Sequence, residues 1–407
     1  LLINLKKEVY HWEKCILWGF EAIHIMKSGN DKSPLPVKQK LKGQVKFVNK
    51  DKNLFFVTLK KRVDLYFSEQ TLSKFGNVAM VVKTFVLLLS YIVPFVCILA
   101  FTPSFVMSLL LWLLMGLGVA GLGMSVMHDA NHGAYSSSKA VNYLMSHVLN
   151  LLGGSTVNWK YQHNILHHTY PNIIHMDEDI NDKVILRFTP HTEVKPVHRF
   201  QWIYFFLFYG LTSLYWVLAK DFVQFVKFKQ NGVNTSSKKE NRIMLARIIA
   251  VKVVYLFVFL VLPPVFFSIP FGEVMAGFLL MNFVSGLVLT VIFQLAHSLE
   301  GTEHPIPNEQ GVIENDWAVH QMKTTMNFSR RNKWLSWYIG GLNYQVEHHL
   351  FPRISHVHYP QLSAIVKETA AEFNVPYLEH TTFFQALKSH ITYMKKLGKL
   401  PDLNELG

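Results

Sequence analysis

The chain has 407 residues, 50% of them hydrophobic and 16% charged, against about 25% charged in a typical soluble domain. Its mean hydropathy is +0.19, which points to a membrane protein and away from one large soluble core. Lys and Arg number 40 against 27 Asp and Glu, for a net charge of +13. These basic residues flank apolar segments and form no soluble basic face. That disfavours nucleic acid and fits anionic lipid head groups or an anionic substrate. Cys15 and Cys97 are the only cysteines, which excludes a disulfide framework or a Cys-based zinc site.

The first 25 residues lack the uninterrupted apolar core of a signal peptide. The polar stretch "KSGNDKSPLPVKQKLKG" follows Met26. Residues 1–42 are therefore read as an unassigned extension, with Met26 the expected native start. "EVYH" (Glu8, His11) and "EAIH" (Glu21, His24) match the Glu-x-x-His pattern of soluble di-iron bundles, but no paired Glu-bearing helices accompany them.

Four segments have the roughly 20 apolar residues needed to cross a bilayer: 79–101, 104–127, 248–269 and 274–296. A fifth, 200–219 ("FQWIYFFLFYGLTSLYWVLA"), is crowded with the aromatic residues of a membrane interface. Lys60, Lys61, Arg62, Lys74 and Lys83 precede or enter the first span. Lys220, Lys227, Lys229, Lys238, Lys239, Arg242 and Arg247 precede the third. The short connections near Thr102–Pro103 and Pro270–Glu273 carry no Lys or Arg. The positive-inside rule puts those two tips outside and the rest in the cytosol. Because seven basic residues follow 200–219, that segment is expected to lie in the interface or re-enter. The predicted fold is all-α integral membrane, with four transmembrane helices in two hairpins and a cytosolic helical cap. The domain runs over 43–395, with 396–407 a C-terminal tail.

On this topology three histidine clusters share one side of the membrane. His128 and His132 ("HDANH") end the second span; His163, His167 and His168 ("HNILHH") follow; His348 and His349 lie in "QVEHH". His297 ends the fourth span. At helical spacing i and i+4 share a face, so His128/His132 and His163/His167 can each converge on one point. Adjacent residues point about 100° apart, so a doublet can serve two metals, or one metal and an outer contact. With 20 His in 407 residues, a lone H-x-x-x-H is expected about once by chance. Three clusters on one side of a membrane are not. Single histidines favour packing or surface roles, and His11, His24, His147, His191, His198 and His380 are read so. His175, His304, His320, His356 and His358 are left open between packing and support of metal ligands. There is no H-E-x-x-H motif and no P-loop.

At these residues the chain resembles the integral-membrane fatty acid desaturases, whose mark is three histidine boxes. The surroundings, "HNILHHTYPNIIHMDEDI", "DWAVHQMKTTMNFS" and "GGLNYQVEHHLFPRISHVHYPQL", resemble the front-end subgroup. Gln345 stands for the first histidine of the third box. The resemblance covers about 43–395 and is closest to bacterial-type, linoleoyl-CoA or delta-6-like forms. It implies two iron ions (Fe2+/Fe3+) held by His128, His132, His163, His167, His168, His297, His348 and His349. Gln345, His320, Asp129 and Asn164 are the candidates for steadying those ligands from behind. It also implies O2 as co-substrate and a fatty acyl-CoA or acyl-lipid as substrate. No H-P-G-G haem motif is present, so electrons are expected from a separate protein of ferredoxin or cytochrome b5 type. The implied place is a bacterial inner membrane with the site facing the cytoplasm, or the endoplasmic reticulum in a eukaryote. Removing two hydrogens from an unactivated CH2–CH2 needs an oxidant stronger than any side chain, so a metal must supply it. The rivals are a membrane di-iron lipid hydroxylase, which shares the boxes, and a membrane metal transporter, which would need polar ligands within its spans.

Overall fold

The computed structural model describes residues 45–49, 53–181, 184–401 and 403, all within the unit Lys40–Gly407. The expected start at Met26 and the two Glu-x-x-His patterns lie outside the described residues.

The described chain is mostly helical. Helix α1 (Phe55–Glu69) repeats Phe55, Leu59, Val63 and Phe67 at four-residue spacing and buries that stripe. Helix α2 (Val78–Phe101) starts where the Asn77 side chain accepts the Met80 N–H. It ends at Thr102, whose left-handed backbone (φ 40°) turns the chain. Helix α3 (Phe105–His132) returns antiparallel as the second arm of this hairpin. A second hairpin joins α5 (Lys238–Phe266) to α6 (Phe271–His297). Ser237 and Glu240 form the capping box that opens α5. At 1.5 Å per residue, α6 is about 40 Å long, enough to span a bilayer. These helices expose apolar side chains outward, such as Phe85, Leu89, Val253 and Val265. That inverts the soluble pattern and suits lipid. Their inner faces meet around Leu87, Tyr91, Trp112, Tyr255, Phe259 and Phe278.

Among the described residues five helices, one more than the four expected spans, are long and apolar enough to cross a membrane. The fifth, α4 (Pro196–Gln230), contains 200–219 and packs antiparallel along α6. A Cβ on Gly286 would lie 2.5 Å from the Gly210 carbonyl oxygen, so only glycine permits this approach. Ser285 donates to Ser213 beside it (3.0 Å). Both ends of α4 bond to segments on the histidine side. Gln201 donates to the Arg187 and Met394 carbonyls, and Gln224 donates to Gln162, next to His163.

The chain beyond α6 carries α7 (Trp317–Thr324), α8 (Gln345–Leu350), α9 (Tyr359–Glu372) and α10 (Phe383–Leu397). The buried stripe of α1 packs with Val346 and Leu350 of α8 and Leu362, Val366 and Ala370 of α9. Two short parallel pairs stitch distant segments: β1 (Lys46–Phe47) with β2 (Val312–Ile313), and β3 (Asn327–Phe328) with β4 (Glu379–His380).

Candidate metal centre

All eight candidate histidines lie at the helix ends opposite the Thr102 and Pro270 tips. Near its end α3 widens into a π-helical turn at Leu122–Val126 and resumes α-helix at Met127–His132. His128 and His132 sit one turn apart with ring centroids 4.8 Å apart. Gly133, with φ 75°, stops the helix immediately after.

The second cluster differs from its expected geometry. Thr156–Trp159 starts as α-helix, but Lys160–His167 is π-helix, and the His168 N–H bonds the His163 carbonyl five residues back. In this wider turn residues five apart stack, not residues four apart. His163 Nε2 therefore lies 3.1 Å from His168 Nε2, and also 3.1 Å from His128 Nε2. His163 and His167 do not converge on one point. In α8 the adjacent His348 and His349 point to different places, as their angular spacing allows.

The result is two groups. His128, His132, His163 and His348 form one; His167, His297 and His349 form the other. Within each group, ligand atoms lie within 4.8 Å of one another. His168 stands between them, its ring centroid 4.5 Å from both His348 and His349. All these rings but the slightly more open His132 are buried. His132, His167, His297, His348 and His349 each leave Nε2 without a partner, and His128 and His168 each leave Nδ1 so. Buried imidazole nitrogens without partners are costly, and a pair of bound metal ions would satisfy them. The donor set is nitrogen with no thiolate, which suits iron among other first-row metals.

Outer contacts fix several rings. His167 Nδ1 donates to Asp177 (3.1 Å), with Asp179 at 3.4 Å. His349 Nδ1 donates to Gln321 Oε1 (2.8 Å). His297 Nδ1 donates to the Thr324 carbonyl (3.2 Å). His348 Nδ1 lies 3.1 Å from the Tyr359 hydroxyl. Each bond aims Nε2 at the centre. Asn172 ties the region together: its N–H bonds Asp177, and its amide donates to the His297 and Glu303 carbonyls. Trp159 walls the first group, 4.3 Å from the His163 ring.

Burial first, then repulsion between neighbouring imidazoles, holds His163, His168, His348 and His349 well below the ordinary histidine range. They are neutral, the state that binds metal. His167 differs. Burial pulls it down, but the Asp177 carboxylate outweighs this and raises it. Burial likewise pushes Asp177 up, but His167 outweighs that and holds it down at about 2.

The four expected supports behave differently from one another. Asp129 accepts from Ser355 (2.7 Å) and His356 Nδ1 (2.9 Å). Its other oxygen is 4.0 Å from His128 Nδ1, beyond hydrogen-bond reach. Asn164 donates to the Asn131 carbonyl. Gln345 is buried with Oε1 unpartnered. His320 donates to the Pro171 carbonyl and packs on Phe47, away from the groups. Sequence reasoning missed Asp177, Asp179, Gln321, Tyr359 and Asn172. Asp177 and Asp179 stood in the quoted "HMDEDI", and their acidity beside a histidine box was the available signal. Lys83, counted there for its charge, turns inward and bonds His356 Nε2 (2.7 Å).

Among the other histidines, His198 is buried and bonded to Lys195 and Val184. His304 stacks on Tyr393, with neither ring nitrogen partnered. Glu347 faces away from the groups, accepting from Asn327 and Tyr377.

A family model described as "Fatty acid desaturase" matches residues 73–381. The chain is similar to the "sn-1 linoleoyl-lipid 6-desaturase" of Arthrospira platensis, at 36% identity over 84% of this chain and 92% of that protein. It is also similar to the enzyme of the same name from Synechocystis sp., at 36% identity over 88% and 98%. With the "Acyl-lipid (8-3)-desaturase" of Physcomitrium patens it shares 32% identity over 88% of this chain and 74% of that protein.

Proposed function

The chain belongs to the fatty acid desaturase family, and on that premise we propose that it inserts a cis double bond into an unsaturated acyl chain carried on a membrane lipid, on the carboxyl side of an existing double bond. The carrying observation is the pair of buried histidine groups at one end of an apolar helix bundle. The names of the similar proteins, which specify lipid-linked acyl chains, favour acyl-lipid over acyl-CoA.

His128, His132, His163 and His348 would hold one iron, and His167, His297 and His349 the other, with His168 between them. Bound iron supplies the O2-dependent oxidation that an unactivated C–H bond requires. The side chains around it orient and exclude. Asp177 keeps the proton on Nδ1 of His167, so Nε2 is free to ligate. Gln321, Thr324 and Tyr359 do the same for His349, His297 and His348. Trp159 and Phe293, whose ring lies 6.2 Å from that of His163, keep water from the first group. Electrons come from a separate carrier of ferredoxin or cytochrome b5 type.

The domain is taken as 43–395, with two crossing hairpins (α2–α3 and α5–α6) and the histidines facing the cytoplasm. The bonds at both ends of α4 to histidine-side segments support its lying against the bundle without crossing. A Ser237→Cys variant should then react with an impermeant maleimide only from the cytoplasmic side. Lipid analysis by gas chromatography–mass spectrometry tests the activity in a host fed defined unsaturated fatty acids. A new double bond on the carboxyl side, absent with His348→Ala, is expected. An added hydroxyl in its place would move the chain to the membrane hydroxylases.

A further inference from the structure

Helix α1 buries one face against α8 and α9 and leaves another open. That open face carries a shallow groove lined by Phe56, Val57, Lys60, Lys61 and Leu65, among others. Val57 is 67% exposed and Leu65 46%. The flanking cations Arg62 and Lys74 are occupied by Glu372 and Asp64. Lys60 and Lys61 have no acidic partner among the described residues. Arg353 is exposed two residues after Phe351, whose ring lies 6.1 Å from that of Phe56. The groove is thus apolar in the middle with Lys60 and Lys61 at its edge, and its one acidic lining residue, Asp64, is paired with Lys74.

Its floor leads inward. The half-buried Phe56 ring meets Trp317 edge-on, with centroids 5.5 Å apart. The Trp317 indole N–H donates to the His168 backbone carbonyl at 3.3 Å. His168 is the imidazole that stands between the two histidine groups. One ring contact, one hydrogen bond and the covalent path through a single residue therefore connect this surface to the centre.

We propose that this face of α1 docks an acidic one-electron carrier protein, and that Phe56 and Trp317 bridge its electron to His168. The proposal rests on the reading that electrons come from a separate protein. At each docking the carrier is oxidised by one electron and a ferric ion at the site is reduced by one. No bond is made or broken, and neither ring gains or loses a proton. The occupant is acidic because two lysines without acidic partners flank an apolar centre, the arrangement that steers an anionic partner and then desolvates it. The path to His168 favours a redox partner over an anionic lipid surface, which would need the cations but no bridge.

The test uses the full chain in nanodiscs and a plant-type [2Fe–2S] ferredoxin as probe. Oxidised ferredoxin should bind the metal-free protein with an affinity that falls as salt rises. Lys60→Glu with Lys61→Glu should weaken that binding on the order of tenfold at low salt. Trp317→Phe and Trp317→Leu, at a residue beneath the groove and not in its lining, should leave binding unchanged. With iron-loaded protein they should slow ferredoxin oxidation in stopped flow, while reduction by dithionite keeps its rate. Ferredoxin binding and oxidation untouched by charge reversal would remove the docking face while leaving the separate donor intact. Iron that dithionite reduces but neither ferredoxin nor cytochrome b5 does, at any salt, would overturn the donor reading and this proposal with it. A Val57→Cys variant shielded from an impermeant maleimide in nanodiscs but not in detergent would assign the face to the bilayer and overturn the docking site.

Discussion

The two histidine groups look alike in composition but are held differently. In the group of His167, His297 and His349, every ring is braced from behind, by Asp177, the Thr324 carbonyl and Gln321 respectively. In the group of His128, His132, His163 and His348, only His348 has such a brace among the described residues, the Tyr359 hydroxyl. The first two boxes instead press their rings on one another and on Trp159. One centre is preset by hydrogen bonds; the other is positioned by ring packing and would gain its final geometry from a bound metal. Outer bonds of this kind raise ligand basicity and fix the tautomer, so the braced group should hold its metal more firmly.

The largest expected effect breaks the braced group outright. His297→Ala removes one of its three proposed ligands and should abolish desaturation, with iron per chain falling while the protein still inserts. His304→Ala, which touches neither group, should keep most of its iron. Plasma mass spectrometry of purified protein checks both, and equal iron in His297→Ala and unmutated protein would remove His297 from the site. Next is Asp177→Asn, which keeps the shape but loses the charge behind His167. It should weaken metal binding in that group by roughly 10–100-fold, read by competition with a chromophoric chelator. Stripping the unmutated protein with such a chelator should be biphasic, the less braced group emptying first. Tyr359→Phe deletes the single brace of that group and should speed the fast phase about fivefold, the worth of one hydrogen bond. Loss in one phase would show that the two centres are not distinct in stability.

The smallest effect concerns Glu347, on the helix that feeds both groups but facing away from them. Burial, against hydrogen bonds from Asn327 and Tyr377, pushes its carboxyl up to about 7 from an ordinary 4.5. The fold thus favours the protonated form. The stability this contributes is present below pH 4.5 and is lost as pH rises through about 7. Glu347→Gln should remove that loss, worth a few kcal/mol at most, and leave iron content unchanged. Melting curves between pH 5 and 8 would read it, and parallel pH dependence in both proteins would exclude Glu347 as its source.

Much of this centre was legible in the sequence because metal chemistry constrains residue type and spacing together. The boxes named seven histidines, and the end of an apolar span pointed to His297. The splitting of His163 from His167 was not legible, since helical spacing assumes i→i−4 bonding and nothing in "KYQHNILHH" announces a wider turn. Asp177 and Gln321 lie 10 and 28 residues from the rings they brace, contacts that only the fold creates. Charge counting read Lys83 as a topology signal because it cannot distinguish a lysine facing water from one buried on His356. The four-span count set 200–219 aside as interfacial or re-entrant because seven basic residues follow it, whereas the helix that contains it runs over 35 residues. The residues on either side of that segment are polar enough to hide the continuation.

The π-helical turn at Lys160–His167 makes chain length a coordination parameter. Its wider turn rests on backbone bonds that skip one residue more than an α-helix does. Deleting a single residue between Trp159 and His163 would let the segment rewind to α pitch while every histidine remained. The rings would then rotate out of phase with the fixed ends of α3 and α6. A variant library that samples only substitutions across this stretch therefore leaves its most sensitive variable, the residue count, unexplored.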